Sequence, residues 1–206
     1  MHWKMREEYK IAYNKAAEVL ENINYKENYK ENGMIRTASV IDAVEELTGI
    51  DVKFAEYDFS KLTDKKKKVN VEHYGAAMCV SENDNAKTAT IFLNNKATAK
   101  MQRFSLIHEL GHLITDVNTV SIGKYKISAH IDMDITTIPE KILNDKKYAF
   151  LIDEQIANIF ALLVLIPYDL LCEEAPKYNK FEDLADAFGV ETNAIISRMI
   201  LEKGAG

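Results

Sequence analysis

The sequence predicts an α+β protein in which a small antiparallel sheet packs on a helical half. Short strand-like segments crowd residues 50–94, whereas from residue 97 onward apolar residues recur mainly at helical spacing. The chain has 206 residues, 47% of them hydrophobic, enough to bury a core without covalent staples.

The elements follow in order. Glu7 to Leu20 sets Ile11, Ala12, Ala16, Val19 and Leu20 along one helical stripe. The next stretch, INYKENYKENG, is polar and breaks at Gly33. A second helix is expected from Thr37, a good N-cap type, through Val40, Ile41, Val44 and Leu47 to Gly49. The pattern then turns to strand, with Ile50, Val52 and Phe54 alternating against Asp51 and Lys53. The basic run Lys65–Lys68 reads as a solvated turn, with a phosphate or partner contact as its functional alternative. Strands at Gly75–Ser81 and Thr88–Asn94, joined by a polar turn, complete the expected sheet.

Two long helices are expected over 96–116 and 146–166, the second stopping before Pro167. The connection between them, 117–147, has no clear pattern, and a loop of that length is often a lid or a binding element. Phe181 to Leu201 reads as two short helices around Gly189. This divides the chain into an N-terminal helix and polar connection (1–36), a main domain (37–176) and a C-terminal helical pair packed on it (177–206).

Composition excludes several functions. A net charge of −6 argues against a surface built to grip nucleic acid. No apolar run approaches the ~20 residues of a membrane span, and the charged N-terminus lacks the apolar stretch of a signal peptide. Cys79 and Cys172 have no CxxC or CxxH company and read as two small buried hydrophobes in a reducing compartment. A cytoplasmic protein is expected.

The chemistry sits in His108-Glu109-Leu110-Gly111-His112, an HExxH sequence. At about 100° per residue, His112 lies about 40° and Glu109 about 100° from His108, while Leu106, Ile107, Leu110, Leu113 and Ile114 share the opposite side. Two imidazoles one turn apart can bind one zinc ion, and the offset glutamate can act on water as a base. Gly111 lets another segment approach closely.

An open zinc site needs a third protein ligand. Asp116 falls in the polar sector and is one candidate; Glu154 is the other. The second long helix argues for Glu154, because Glu154 and Asn158, one turn apart, interrupt its apolar surface beside Ala157 and Ala161. A carboxylate there is costly unless paired or metal-bound, and small alanines would let two helices come close. Asp116 would then support a ligand from behind. Tyr148, Tyr168, His130 and Arg103 are all possible oxyanion donors. His130, Asp132 and Asp134 would project from one side of a strand, as an exposed edge or a second metal site.

These stretches resemble the ImmA/IrrE family of metallopeptidases: an asparagine-ended strand at Asn94, Arg103-Phe104, His108 to His112, then Glu154, Ala157, Asn158, Phe160 and Ala161 with Pro167. The likeness covers roughly residues 38–200 and is strongest over 91–167. The resemblance implies a zincin-like helical half, one zinc on His108, His112 and Glu154, and Glu109 as the catalytic glutamate. It also implies an endopeptidase making restricted cuts in a protein substrate, typically a helix-turn-helix repressor of a phage, mobile element or stress response. The alternative is a regulator with a non-catalytic zinc site that binds a partner or DNA.

The C-terminal pair matches a helix-turn-helix pattern through Leu184, Ala185, Gly189, Val190 and Ile195. Its second helix offers only Arg198 and Lys203 to phosphates or bases, so packing or substrate recognition is expected rather than DNA binding.

Overall fold

The computed structural model describes residues 9–61, 75–83, 86–115, 125–126 and 149–205. Eight α-helices and four strands appear among them. Helices α1 (Lys10–Asn22), α2 (Tyr25–Asn32) and α3 (Thr37–Thr48) precede strands β1 (Asp51–Tyr57), β2 (Ala76–Asn83) and β3 (Ala86–Asn94). Helix α4 (Ala99–Thr115), strand β4 (Tyr125–Lys126) and helix α5 (Ala149–Leu165) follow. The chain ends with α6 (Tyr168–Glu174), α7 (Phe181–Phe188) and α8 (Thr192–Ala205).

The expected α+β class is present, but the sheet is mixed rather than antiparallel. Its order is β1-β3-β2-β4, with β1 parallel to β3 and both β3 and β4 antiparallel to β2. β2 and β3 form a hairpin, so β3 runs in the same direction as β1. The connection from β1 to β2 carries β2 beyond the position that β3 fills, which puts the two like-directed strands side by side. Alternation reports which side chains share a face and carries no information on which neighbour a strand will choose. It also misjudged burial in β1, whose Phe54 is 60% exposed at the sheet edge.

Helix α2 was unreadable in the polar INYKENYKENG stretch because none of its residues is buried and no apolar stripe exists. It is tied down from outside instead. Tyr25 Oη donates to Asp169 Oδ2 at 2.6 Å, and the Tyr29 ring packs 5.7 Å from that of Phe188. Thr37 begins α3 but does not cap it; extended Arg36 holds the cap position. Residues 125–126, inside the ambiguous connection, return to the sheet as β4. The lysine run 65–68 and the rest of 117–147 lie outside the described residues.

Helix α4 occupies the centre. It packs on β2, β3 and α3 on one side and on α5 on the other, while α5 is backed by α1 and α8. One apolar cluster runs through all of these layers, from Val19 in α1 and Val44 in α3 to Ile91 in β3, Leu110 in α4, Phe160 in α5 and Phe188 in α7. Among the described residues no single helix is long and apolar enough to cross a membrane. The bent pair of α5 and α6 passes by length and composition, but from Ile156 to Ile166 all apolar residues of α5 and its end are buried inside the protein.

The α4–α5 contact depends on Gly111. A Cβ there would lie 3.0 Å from Phe160 Cδ1, 3.1 Å from Ala157 Cα and 3.2 Å from the Ala157 carbonyl oxygen. Two of these atoms are backbone and cannot rotate away. Gly111→Ala gains roughly 1 kcal/mol of helix propensity but forces overpacking that costs about 1–3 kcal/mol. The variant is therefore expected to melt at lower temperature than the parent in a calorimetric comparison; an unchanged or higher Tm would mean that the helices can separate freely.

Candidate metal centre

The HExxH residues lie on α4, within a run from Ser105 to Ile114 that is buried throughout. Leu106, Ile107, Leu110 and Leu113 fill the core, so the other sector, carrying His108, Glu109 and His112, is buried too. That polar sector faces α5. The close approach at Gly111 and Ala157 brings α5 near enough to present Glu154 to both imidazoles.

His108 Nε2 lies 3.2 Å from Glu154 Oε2, and His112 Nε2 lies 3.3 Å from Glu154 Oε1. The two imidazole Nε2 atoms are 3.1 Å apart, with their rings edge to face at 86°. One ligand atom from each of His108, His112 and Glu154 falls within 4.8 Å of the others. On its other side, His108 Nδ1 lies 2.8 Å from Asn158 Oδ1. An amide oxygen only accepts, so Nδ1 carries a proton, and in the neutral ring Nε2 then turns a lone pair inward.

Two ring nitrogens and a carboxylate thus converge in a site with little water. Burial alone would pull the His108 imidazole down, yet the Glu154 carboxylate beside it raises its pKa. Burial likewise pushes Glu154 up, but the two imidazoles hold it well below the ordinary carboxylate range. A carboxylate buried this deeply favours positive charge next to it. A shared proton can supply that charge, and so can a divalent cation; two imidazoles and a carboxylate form a donor set that suits such an ion.

Of the other candidates, Asp116, His130, Asp132, Asp134 and Tyr148 lie outside the described residues. Tyr168 is 52% exposed and begins α6, whereas Glu154 lies near the start of α5. The rise from Glu154 to Leu165 alone is about 16 Å at ~1.5 Å per residue, so Tyr168 is remote from the imidazoles.

Arg103 is no oxyanion donor either. Its guanidinium donates to the backbone carbonyls of Phe188, Gly189 (3.0 Å) and Ile35 (2.5 Å). Desolvation pulls its pKa down to about 10. The side chain instead ties α4 to the turn before α3 and to the turn after α7. The sequence offered no sign of this, because backbone acceptors leave no residue pattern.

Arg198, one of the two cations that the last helix could have offered to phosphates, is only 2% exposed, with Nε donating to the Ile166 carbonyl at 2.9 Å and the guanidinium paired with Glu202. A second buried contact unread in the sequence joins Tyr9, whose hydroxyl donates to Gln155 Oε1 directly beside Glu154.

The IrrE N-terminal-like domain (Peptidase_M78) matches residues 59–199, which spans all of the elements that build this site. Comparison with curated proteins and with solved structures returns no significant match.

Arg103→Met keeps the aliphatic stem while removing the donors to three carbonyls. Charge-assisted hydrogen bonds lost from a buried site predict a loss of about 2–4 kcal/mol, read as a lower denaturation midpoint. A midpoint within experimental error of the parent would show that the ties are dispensable.

Proposed function

The chain belongs to the IrrE N-terminal-like domain family of peptidases, and on that premise we propose that it is a zinc-dependent endopeptidase. The observation that carries this reading is the buried convergence of His108, His112 and Glu154, with Glu109 beside the two histidines on α4. We assign His108, His112 and Glu154 as ligands of one zinc ion per chain and Glu109 as the catalytic base. Zinc, when bound there, supplies a Lewis acid that polarises a peptide carbonyl and acidifies water.

The residues do the rest. Glu109 takes a proton from the attacking water as the water oxygen bonds to the carbonyl carbon. The same carboxyl then delivers that proton to the amine nitrogen as the carbon–nitrogen bond breaks. The apolar packing of α4 against α5 keeps bulk water away from the Glu154 carboxylate, which strengthens its interactions with both imidazoles. Asp116 remains a supporting group in this scheme, not a ligand.

The substrate class follows from the family resemblance. We propose restricted cleavage of a cytoplasmic DNA-binding repressor with a helix-turn-helix fold, with no direct role for nucleic acid. Burial of Arg198 supports this, since it withdraws one of the two cations that the last helix could turn toward phosphates.

Protein purified without chelators should contain about one zinc per chain, as two imidazoles and a carboxylate make a complete three-ligand catalytic set. Glu109→Gln should keep that zinc and lose nearly all turnover, because an amide cannot accept the proton. Retained activity in a metal-replete Gln variant would remove Glu109 from the reaction.

The third ligand is tested separately. Glu154→Ala should weaken zinc binding severely and Asp116→Ala only modestly; the reverse ranking in a competition titration would reassign the position. Mass spectrometry should find one or few cuts in a repressor encoded beside the gene and little digestion of casein. Rapid casein digestion would instead indicate a general protease.

A further inference from the structure

We propose that Asn158 is the positioning residue of the metal centre, fixing His108 in the tautomer that presents Nε2 to the metal. This rests on the zinc site proposed above and concerns a residue outside its ligand set. Asn158 follows Glu154 by one turn of α5, so a single helix face supplies both a ligand and the group that orients another ligand. The 2.8 Å contact from His108 Nδ1 to Asn158 Oδ1 lies on the side of the ring away from Glu154 and His112.

The neutral imidazole has two tautomers, and only the one protonated at Nδ1 leaves Nε2 free to donate its lone pair. In an apolar helix interface water offers little help in choosing between them. The His108 ring is almost fully buried, so the Asn158 oxygen makes the choice.

The helix spacing explains why the residue is short. Ala157 Cα lies 3.1 Å from the Cβ that Gly111 lacks, so the α5 backbone passes close to α4 at the residue before Asn158. An oxygen on the γ-carbon reaches Nδ1 from this distance. Asparagine and aspartate both supply that oxygen; leucine has the shape of asparagine without it.

The test compares zinc affinity, by competition with a chromophoric chelator, in the parent, Asn158→Asp and Asn158→Leu, together with the thermal stability of each metal-free protein. Loss of an oriented hydrogen bond behind a metal-ligating histidine lowers affinity by about 10–100-fold, and that loss is expected for the leucine variant. The aspartate variant should recover affinity to within a few-fold of the parent, because it restores an acceptor for Nδ1–H. A purely packing role predicts instead that affinity follows metal-free stability in both variants, and that result would overturn the assignment.

A measurement on the parent protein needs no variant to fold. Nitrogen-15 NMR of the zinc-loaded chain should show His108 protonated at Nδ1 and coordinated through Nε2; coordination through Nδ1 would also overturn it. If the parent binds no zinc, the metal site itself fails. If the parent binds zinc and the leucine variant binds it equally well, only the role of Asn158 fails.

Discussion

A buried carboxylate set against two imidazoles is the constraint around which this protein is arranged. Glu154 is buried on a helix that is apolar from Ile159 onward, where an unpaired charge costs several kcal/mol. His108 and His112 remove that cost only if α4 and α5 come close enough for contacts of 3.2–3.3 Å. Gly111 and Ala157 permit this approach, and the sheet, α1 and α3 hold the two helices from outside. The pairing of the buried carboxylate and the packing of the core are therefore one problem with one solution.

Much of this arrangement was legible in the sequence, and the readable part has a common physical origin. The HExxH pattern and its wheel placed two imidazoles together because residues four apart share a helix face. Glu154 stood out because a lone carboxylate in an apolar helix demands a partner. Gly111 and the alanines marked the line of approach, and the structure puts Gly111 directly against Ala157.

What escaped the reading lies in interactions between distant segments. Strand alternation could not reveal that β1 pairs in parallel with β3, since pairing is decided by where the connections run. Helix α2 has no apolar stripe and is held by Tyr25 and Tyr29 against the C-terminal half. Arg103 looked like a candidate for catalysis, yet it binds backbone carbonyls of Ile35, Phe188 and Gly189. Together with the Tyr9–Gln155 and Arg198–Ile166 contacts, it fastens Tyr9, the turn before α3 and the C-terminal helices to the two helices that carry the site. Residues 9–36 and the last helical pair, separable by composition, thus share one apolar core with the rest.

The claim at the centre of this account is that His108, His112 and Glu154 hold one zinc ion. X-ray absorption at the zinc edge of the loaded protein tests it most directly, because ligand type and distance are read without reference to activity. The account predicts two imidazole nitrogens and carboxylate oxygen at about 2.0–2.2 Å, with no sulfur. A sulfur shell near 2.3 Å, or a first shell with fewer than two imidazoles, would contradict it.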